Sequence, residues 1–287
     1  MTRSVSVITG GAGGMGVAAG KILGRDHSIV IADVDQNALD AAAAQLHANG
    51  ISCTTVVCDV TDVESVSRLV GAATSLGTVK SVVHTAGLSP SMAAHERVIR
   101  VNALGTVHVN EAFYEIARPG FAIVNVASVA ASVLPGLFIP TRGFEVALRD
   151  EDAFMKRMTA FCKIIPMGYA LSKSFVTWYC ASQAKRFGQR GARLVSVSPG
   201  SIDTAMGRLE EDAGSGAMVT FAALKRLGRP EEVAELLAFC ASDKASYLTG
   251  VDIPCDGGVL ATLRIRDVLT LAQFALFRRR SEKGSVS

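Results

Sequence analysis

The sequence predicts an α/β protein: one doubly wound domain on a seven-stranded, mainly parallel sheet. Three observations carry that expectation. Strand-length apolar runs alternate with helix-length segments from the start of the chain. Residues 7–8, 29–31 and 122–124 are apolar at consecutive positions, as in strands covered on both faces. The first run ends in a glycine cluster that opens the first helical segment, the turn of a Rossmann-like unit. Repeated βα units with right-handed crossovers then build a parallel sheet between two helical layers.

The elements follow in order. Strands are expected at 5–9, 29–33, 53–58, 79–84, 122–127, 193–198 and 251–254. Amphipathic or alanine-rich helices are expected at 14–24, 35–48, 62–75, 102–117, 169–187 and 230–241. No Pro/Ser-rich linker and no internal repeat divides the 287 residues, so 1–260 reads as one domain. At 49% hydrophobic and 19% charged, the chain is not a disordered one. Residues 261–287 hold six Lys/Arg and two Asp/Glu, a charge of +4, against −1 for the rest. A near-neutral body lacks the footprint of a nucleic-acid binder. The six cysteines form no CxxC and have no His at zinc-ligand spacing, so no metal is expected and the thiols read as reduced and cytoplasmic. Glycines break the apolar start too early for a signal peptide. The apolar run 268–277 is too short to span a membrane and contains Thr270 and Gln273.

The first strand runs into Thr9-Gly10-Gly11-Ala12-Gly13-Gly14-Met15-Gly16. Glycines permit the tight strand-to-helix turn and let the backbone approach a pyrophosphate, with free N–H groups and the helix dipole facing the anion. Gly10, Gly11, Gly13, Gly14, Met15 and Gly16 are therefore the candidate phosphate cradle. Asp33 ends the second strand, 17 residues after Gly16. A carboxylate there accepts from both ribose hydroxyls and repels a 2′-phosphate, and no Lys or Arg stands in the turn or directly after Asp33. The cofactor reading is NAD over NADP. The alternative is that Asp33 or Asp35 only caps the next helix.

Further motifs follow in a fixed order: Cys58-Asp59-Val60, His84-Thr85-Ala86-Gly87, Asn102 in Val101-Asn102-Ala103-Leu104-Gly105, Ser128, and Tyr169-Ala170-Leu171-Ser172-Lys173. Pro199-Gly200-Ser201-Ile202-Asp203-Thr204, Leu227-Gly228-Arg229-Pro230-Glu231-Glu232-Val233 and Asp256-Gly257-Gly258 complete the series. With Thr9-Gly10-x-x-x-Gly14-x-Gly16, this set resembles the short-chain dehydrogenase/reductase family, in the branch with chains of roughly 250 residues. The resemblance runs from residue 5 to about 258. It implies that Cys58, Asp59 and Val60 flank the adenine and that backbone around Ala86 and Gly87 lines the cofactor. It also implies cofactor contacts by Tyr169, Lys173, Pro199, Gly200, Ile202 and Thr204, with the Thr204 hydroxyl on the carboxamide. His84 departs from the family's Asn. At that corner the side chains steady the sheet, so His84 is read as structural.

Asn102, Ser128, Tyr169 and Lys173 are the catalytic residues the resemblance implies. Tyr169 and Lys173, four apart on a helix, share one face. A phenol ionising near ~10 is a poor base at neutral pH, and a nearby ammonium with an oxidised nicotinamide favours its phenolate. Tyr169 then acts as general acid/base, Ser128 holds the substrate oxygen, and Asn102 supports a water leading to Lys173. Ser128, at a strand's C-terminal end, is preferred to Ser132. The four-residue spacing argues for carbonyl–alcohol interconversion and against an enoyl reductase. Met167 and Gly168 are expected at the floor. Residues 203–224, with Gly207, Gly214 and Gly216 beside Met206, Leu209, Met218 and Phe221, suit a loop closing over the substrate.

Forty residues lie between Ser128 and Tyr169, far more than the family's pattern. Within this insertion, about 131–167, a helix over 150–162 capped by Asp150 or Asp152 carries the stripe Phe154, Met158, Phe161, Cys162 and Ile165. Some hydroxysteroid dehydrogenase/carbonyl reductase members are similar here, which points to a bulky apolar alcohol or ketone, a steroid among them. The stripe is expected over its own Tyr169 helix or across a subunit interface, bordering the substrate entrance. Relatives commonly form tetramers through the Asn and Tyr-Lys helices, so a different homo-oligomer, a homodimer first, is expected. The tail forms a basic amphipathic helix that lies on a membrane surface, on a partner or on its own body. The rival function is a catalytically silent dinucleotide-binding sensor or scaffold.

Overall fold

The computed structural model describes residues 4–132, 139–165, 167–210 and 217–262. Seven strands are present: β1 Ser4–Thr9, β2 Ser28–Asp33, β3 Cys53–Val57, β4 Thr78–His84, β5 Ala122–Val126, β6 Arg193–Pro199 and β7 Asp252–Cys255. Their ends lie within one residue of those expected. The order is β3-β2-β1-β4-β5-β6-β7, and every pairing is parallel. The helices are α1 Gly14–Leu23, α2 Gln36–Ala48, α3 Val63–Leu76, α4 His95–Ile99, α5 Gly105–Tyr114, α6 Thr141–Phe144, α7 Glu151–Ile164, α8 Gly168–Gln189, α9 Ala205–Glu210, α10 Ala217–Phe221, α11 Pro230–Ala241 and α12 Val259–Thr262.

The alternation of side chains along β1 builds two cores. Val5 and Val7 join Val82, Ile123, Phe113, Phe175 and Tyr179 under α3, α5 and α8. Ile8 joins Ile29, Ile31, Leu39, Val124, Val195 and Leu237 under α1, α2 and α11. Asp35, Asp62 and Asp150 accept from backbone N–H groups at the starts of α2, α3 and α7. No helix among the described residues is long and apolar enough to cross a membrane. Residues 263–287, where the tail helix was expected, lie outside the described residues.

One helix starts earlier than its sequence suggests. The expected 102–117 helix is preceded by α4, joined to α5 through a π-helical turn at Arg100–Leu104. The polar start of α4 carries no apolar period, so the sequence pattern begins the helix only at 102. In the structure Asn102 is buried and tied to the loop after β4.

The insertion packs on its own domain, over α8. Phe144 and Phe154 meet Phe175 with ring centroids 5.2 and 5.3 Å apart, and Phe144 lies 5.6 Å from Trp178. Met155, Met158 and Cys162 are buried in the same core, while Phe161 and Ile165 are half-buried at its edge. Glu151, in the first turn of α7, meets His108 of α5 at 2.7 Å, and the other ring nitrogen of His108 meets the Val60 carbonyl at 2.9 Å. Removing the fully buried Phe154 ring should therefore be costly. Phe154→Ala is expected to lower stability by about 3–5 kcal/mol, read from the urea midpoint. A loss of under about 1 kcal/mol would mean that α7 is not packed on α8.

Candidate active site

The glycine turn is shaped by close backbone approach. Gly10 has φ 63°, and a Cβ there would lie 2.6 Å from the Ala86 backbone nitrogen, at the end of β4. A Cβ on Gly16 would lie 2.6 Å from the Gly10 carbonyl. Gly13 caps α1 without any side-chain hydrogen bond, unlike the Asp caps of α2, α3 and α7. The first N–H groups of α1 therefore lack a side-chain cap from Gly13, which suits a pyrophosphate. Across that cleft, a Cβ on Gly14 would lie 3.2 Å from Thr204 Cγ2, so the turn and the segment after β6 are neighbours.

Asp33 stands beside this turn. Its carboxylate accepts from Val34 N at 2.8 Å and from Ala12 N at 3.4 Å. The cap of α2 is Asp35, which accepts from Asn37 N and Ala38 N. The helix-cap alternative thus falls to Asp35, and Asp33 remains available to a ribose. Cys58 is buried, with its N–H on the Asp33 carbonyl at 2.8 Å. Asp59 accepts from the N–H and hydroxyl of Thr61, both at 2.8 Å. The Val60 side chain is buried against Gly105. Of this adenine-side trio, Val60 therefore offers backbone rather than side chain.

The catalytic candidates gather at the C-terminal end of β5. Lys173 reaches down from α8 and donates to the Val126 carbonyl at 2.8 Å, with Nζ 5.9 Å from the centroid of the Tyr169 ring. Ser128, two residues beyond Val126, lies close enough to the Tyr169 hydroxyl to lower its pKa, while Ser128 Oγ accepts from Ala130 N at 3.2 Å. Gly87 leaves room for both neighbours: a Cβ there would lie 3.0 Å from Asn102 Oδ1 and 3.4 Å from Lys173 Nζ. A Cβ on Gly168 would lie 2.8 Å from His95 Cβ, so the residue before Tyr169 must be small where α4 crosses α8. Met167 is half-buried beside it.

The ammonium together with an oxidised nicotinamide was expected to bring the Tyr169 phenol down. Without the nicotinamide, burial raises it above 10, Ser128 lowers it only in part, and the Glu210 carboxylate raises it further. Asn102 is held by the loop after β4. Its amide accepts from Leu88 N at 2.8 Å and donates to Leu88 O at 3.0 Å and Ser172 Oγ at 3.1 Å. Both N–H bonds are engaged, so the side chain clamps the loop after β4. His84 hydrogen-bonds Thr9 Oγ1 at 2.6 Å across β1 and β4. Burial, with Lys173 nearby, pushes its pKa down to about 3, so it is neutral at working pH.

On the nicotinamide side, Gly200 donates to the Cys255 carbonyl at 3.0 Å, and its missing Cβ leaves room for Asp256. Pro199 ends β6, and Ile202 is buried and bridges to Gly228. Thr204 Oγ1 accepts from Gly207 N at 3.0 Å. Of the expected closing loop, Gly214 and Gly216 lie outside the described residues. What sequence reasoning missed is Glu210, whose Oε1 accepts from Ser91 N at 2.9 Å and whose charge reaches Tyr169. No spacing rule marks it, because the contact joins residues 119 apart. Among the described residues no three His, Cys, Asp or Glu side chains are gathered as metal ligands.

Comparison with known proteins agrees with this geometry. Residues 4–139 match the family described as short chain dehydrogenase, and residues 163–260 match the one described as enoyl-(acyl carrier protein) reductase. The unmatched stretch between them holds most of the insertion. A short-chain dehydrogenase/reductase, bsc3, of Alternaria brassicicola is 30% identical over 92% of this chain and 98% of its own. The cis-4-hydroxycyclohexanecarboxylate dehydrogenase of Sinomonas cyclohexanicum is 32% identical over 90% of this chain and 96% of its own. The structure of a short-chain type dehydrogenase/reductase from Mycobacterium ulcerans superposes with a TM-score of 0.73 at 25% identity, over 90% of each chain. The chain belongs to the short-chain dehydrogenase/reductase family, whose oxidoreductases use nicotinamide dinucleotides.

The buried lysine generates a prediction of its own. Burial lowers Lys173 from 10.5 to about 8. Between those values the unfolded chain holds a proton that the folded chain lacks, so stability rises with pH across the window; below pH 8 the cost of burying the charge is felt in full. Lys173→Met is expected to be more stable than wild type at pH 7, with the gap closing as pH rises from about 8 to about 10. Urea denaturation at several pH values measures this. A gap independent of pH would show that the ammonium is not buried.

Proposed function

We propose that this chain is an NAD(H)-dependent oxidoreductase that interconverts a secondary alcohol and a ketone. The observation that carries the reading is the meeting of Ser128, Tyr169 and Lys173 at the end of β5, beside the glycine turn. When bound, the nicotinamide accepts or supplies the hydride. Ser128 hydrogen-bonds the substrate oxygen and orients it toward the phenol. In reduction, Tyr169 gives its proton to that oxygen as the hydride reaches the carbonyl carbon. In oxidation, the tyrosinate takes the proton from the alcohol. Lys173, held on Val126, stabilises the ionised phenol and exchanges its own proton with solvent. Because burial and Glu210 favour the protonated phenol, the ligand-free site is set for the reductive half-reaction.

Asp33 supports NAD over NADP, since its carboxylate stands beside the turn and would repel a 2′-phosphate. The insertion supports a bulky apolar substrate, a steroid or another ring-bearing ketone. The relative that acts on a hydroxycyclohexane ring points the same way. The packing of α6 and α7 over α8 supports an assembly other than a tetramer built through that helix, and we favour a homodimer. Six free cysteines support a cytoplasmic setting. The silent-sensor reading is disfavoured because Ser128, Tyr169 and Lys173 are all present and assembled.

Screening alcohols and ketones by NADH fluorescence tests the reaction. On a substrate so found, Tyr169→Phe is expected to lose about 10²–10⁴-fold in kcat while its Kd for NAD is unchanged. Near wild-type turnover would remove Tyr169 from the acid/base role. Comparison of kcat/KM for the two cofactors should favour NAD, and a wild type that prefers NADP would sink the Asp33 argument. Light scattering at several concentrations should give a dimer; a tetramer assembled through α5 and α8 would refute the role given to the insertion.

A further inference from the structure

The hydrogen bond from Ser91 N to Glu210 Oε1, 2.9 Å long, joins the loop after β4 to the helix after β6. In the sheet β5 lies between those two strands. The bond therefore arches over the C-terminal end of β5, where Ser128 and Tyr169 stand. The arch thus places a carboxylate on the same end of the sheet as Ser128 and Tyr169. Among the described residues Glu210 forms no ion pair. The nearest basic residue on its own helix, Arg208, is paired with Asp203 at 2.7 Å. The ammonium on the floor, Lys173, is turned to the Val126 carbonyl.

We propose that Glu210 is a specificity-determining residue that bars anionic substrates, so that the site takes an uncharged alcohol or ketone. The inference rests on the alcohol–ketone reaction proposed above and narrows its substrate. A carboxylate or phosphate on the substrate would lie near a like charge held at a solvent-exposed contact, and within a Debye length of it the repulsion is reduced but not removed. The effect of Glu210 on the Tyr169 phenol is the same field read at the reacting group. A carboxylate has more acceptor sites than Ser91 N occupies, so a second hydroxyl on an uncharged substrate finds a partner there. The related dehydrogenase named for a hydroxycyclohexanecarboxylate has an anionic substrate, and this chain is expected to differ from it in that respect.

The test compares wild type with Glu210→Gln, which keeps an acceptor for Ser91 N and removes the charge. One arm needs no substrate. The protein is labelled with 3-fluorotyrosine, whose phenol ionises at lower pH than tyrosine, and the Tyr169 fluorine resonance is assigned by its loss in Tyr169→Phe. Its titration midpoint is expected to fall by about 0.5 pH unit or more in Glu210→Gln. An unmoved midpoint means that the charge does not reach the site, and the proposal fails. The second arm measures kcat/KM with NAD for methyl 4-hydroxycyclohexanecarboxylate and for free 4-hydroxycyclohexanecarboxylate. Wild type should prefer the ester, and the ester-to-acid ratio should fall about tenfold in the variant. A moved midpoint with an unchanged ratio overturns the specificity role. A wild type that oxidises neither these nor any other alcohol counts against the proposed reaction, while the fluorine titration still decides whether Glu210 acts on the site.

Discussion

A single buried ammonium organises this molecule. Lys173 lies in a nearly solvent-free pocket without a carboxylate, held by the carbonyl of Val126 at the end of β5. Burying such a charge is tolerable only where its hydrogen bonds are supplied by fixed groups. The surrounding chain meets that demand. Gly87 omits the side chain that would crowd Nζ, and Asn102 clamps the neighbouring loop through Leu88. The helix that carries Lys173 must then cross the end of β5 at one height, which puts Tyr169, one turn earlier, beside Ser128.

That demand explains why α8 is so heavily braced. Phe175, two residues after Lys173, is enclosed by Phe144 and Phe154 of the insertion. Farther along, Tyr179 donates to Glu111 at 2.6 Å, and Arg186 pairs with the same carboxylate. His108 links Glu151 of α7 to the Val60 carbonyl in the turn after β3. The insertion is thus bonded to the turn after β3 as well as packed on α8. It is a second layer on the domain and has its own part in holding the site.

The balance of forces on Tyr169 differs from a simple pairing with lysine. Desolvation acts on the phenol and the ammonium alike, pushing the first up from 10 and the second down to about 8, and so sets their ionisations apart. Glu210 adds a negative charge from the rim, which favours the neutral phenol. The acid form is therefore the resting form, and the positive nicotinamide is the contribution that turns the site toward oxidation.

The strands were legible because burial on both faces leaves apolar runs that no surface helix would carry, and the glycine turn because only glycine tolerates the approach of Gly10 to Ala86. Tyr169 and Lys173 were legible because a spacing of four is a local property of a helix. The start of α4 was not, since its polar residues have no apolar period and its place is set by contact with Gly168. Neither was the clamp formed by Asn102, whose partners follow from the path of the loop after β4. Glu210 was invisible for the same reason: its position over β5 depends on two loops whose sequences do not encode each other. The sequence by itself determined the sheet, the glycine turn and the residues proposed to react, because each rests on local pattern. Only the tertiary structure decided the direction in which the phenol is shifted, the seat of the insertion and the contact of Glu210 with Ser91, because desolvation and field are properties of what surrounds a group in space.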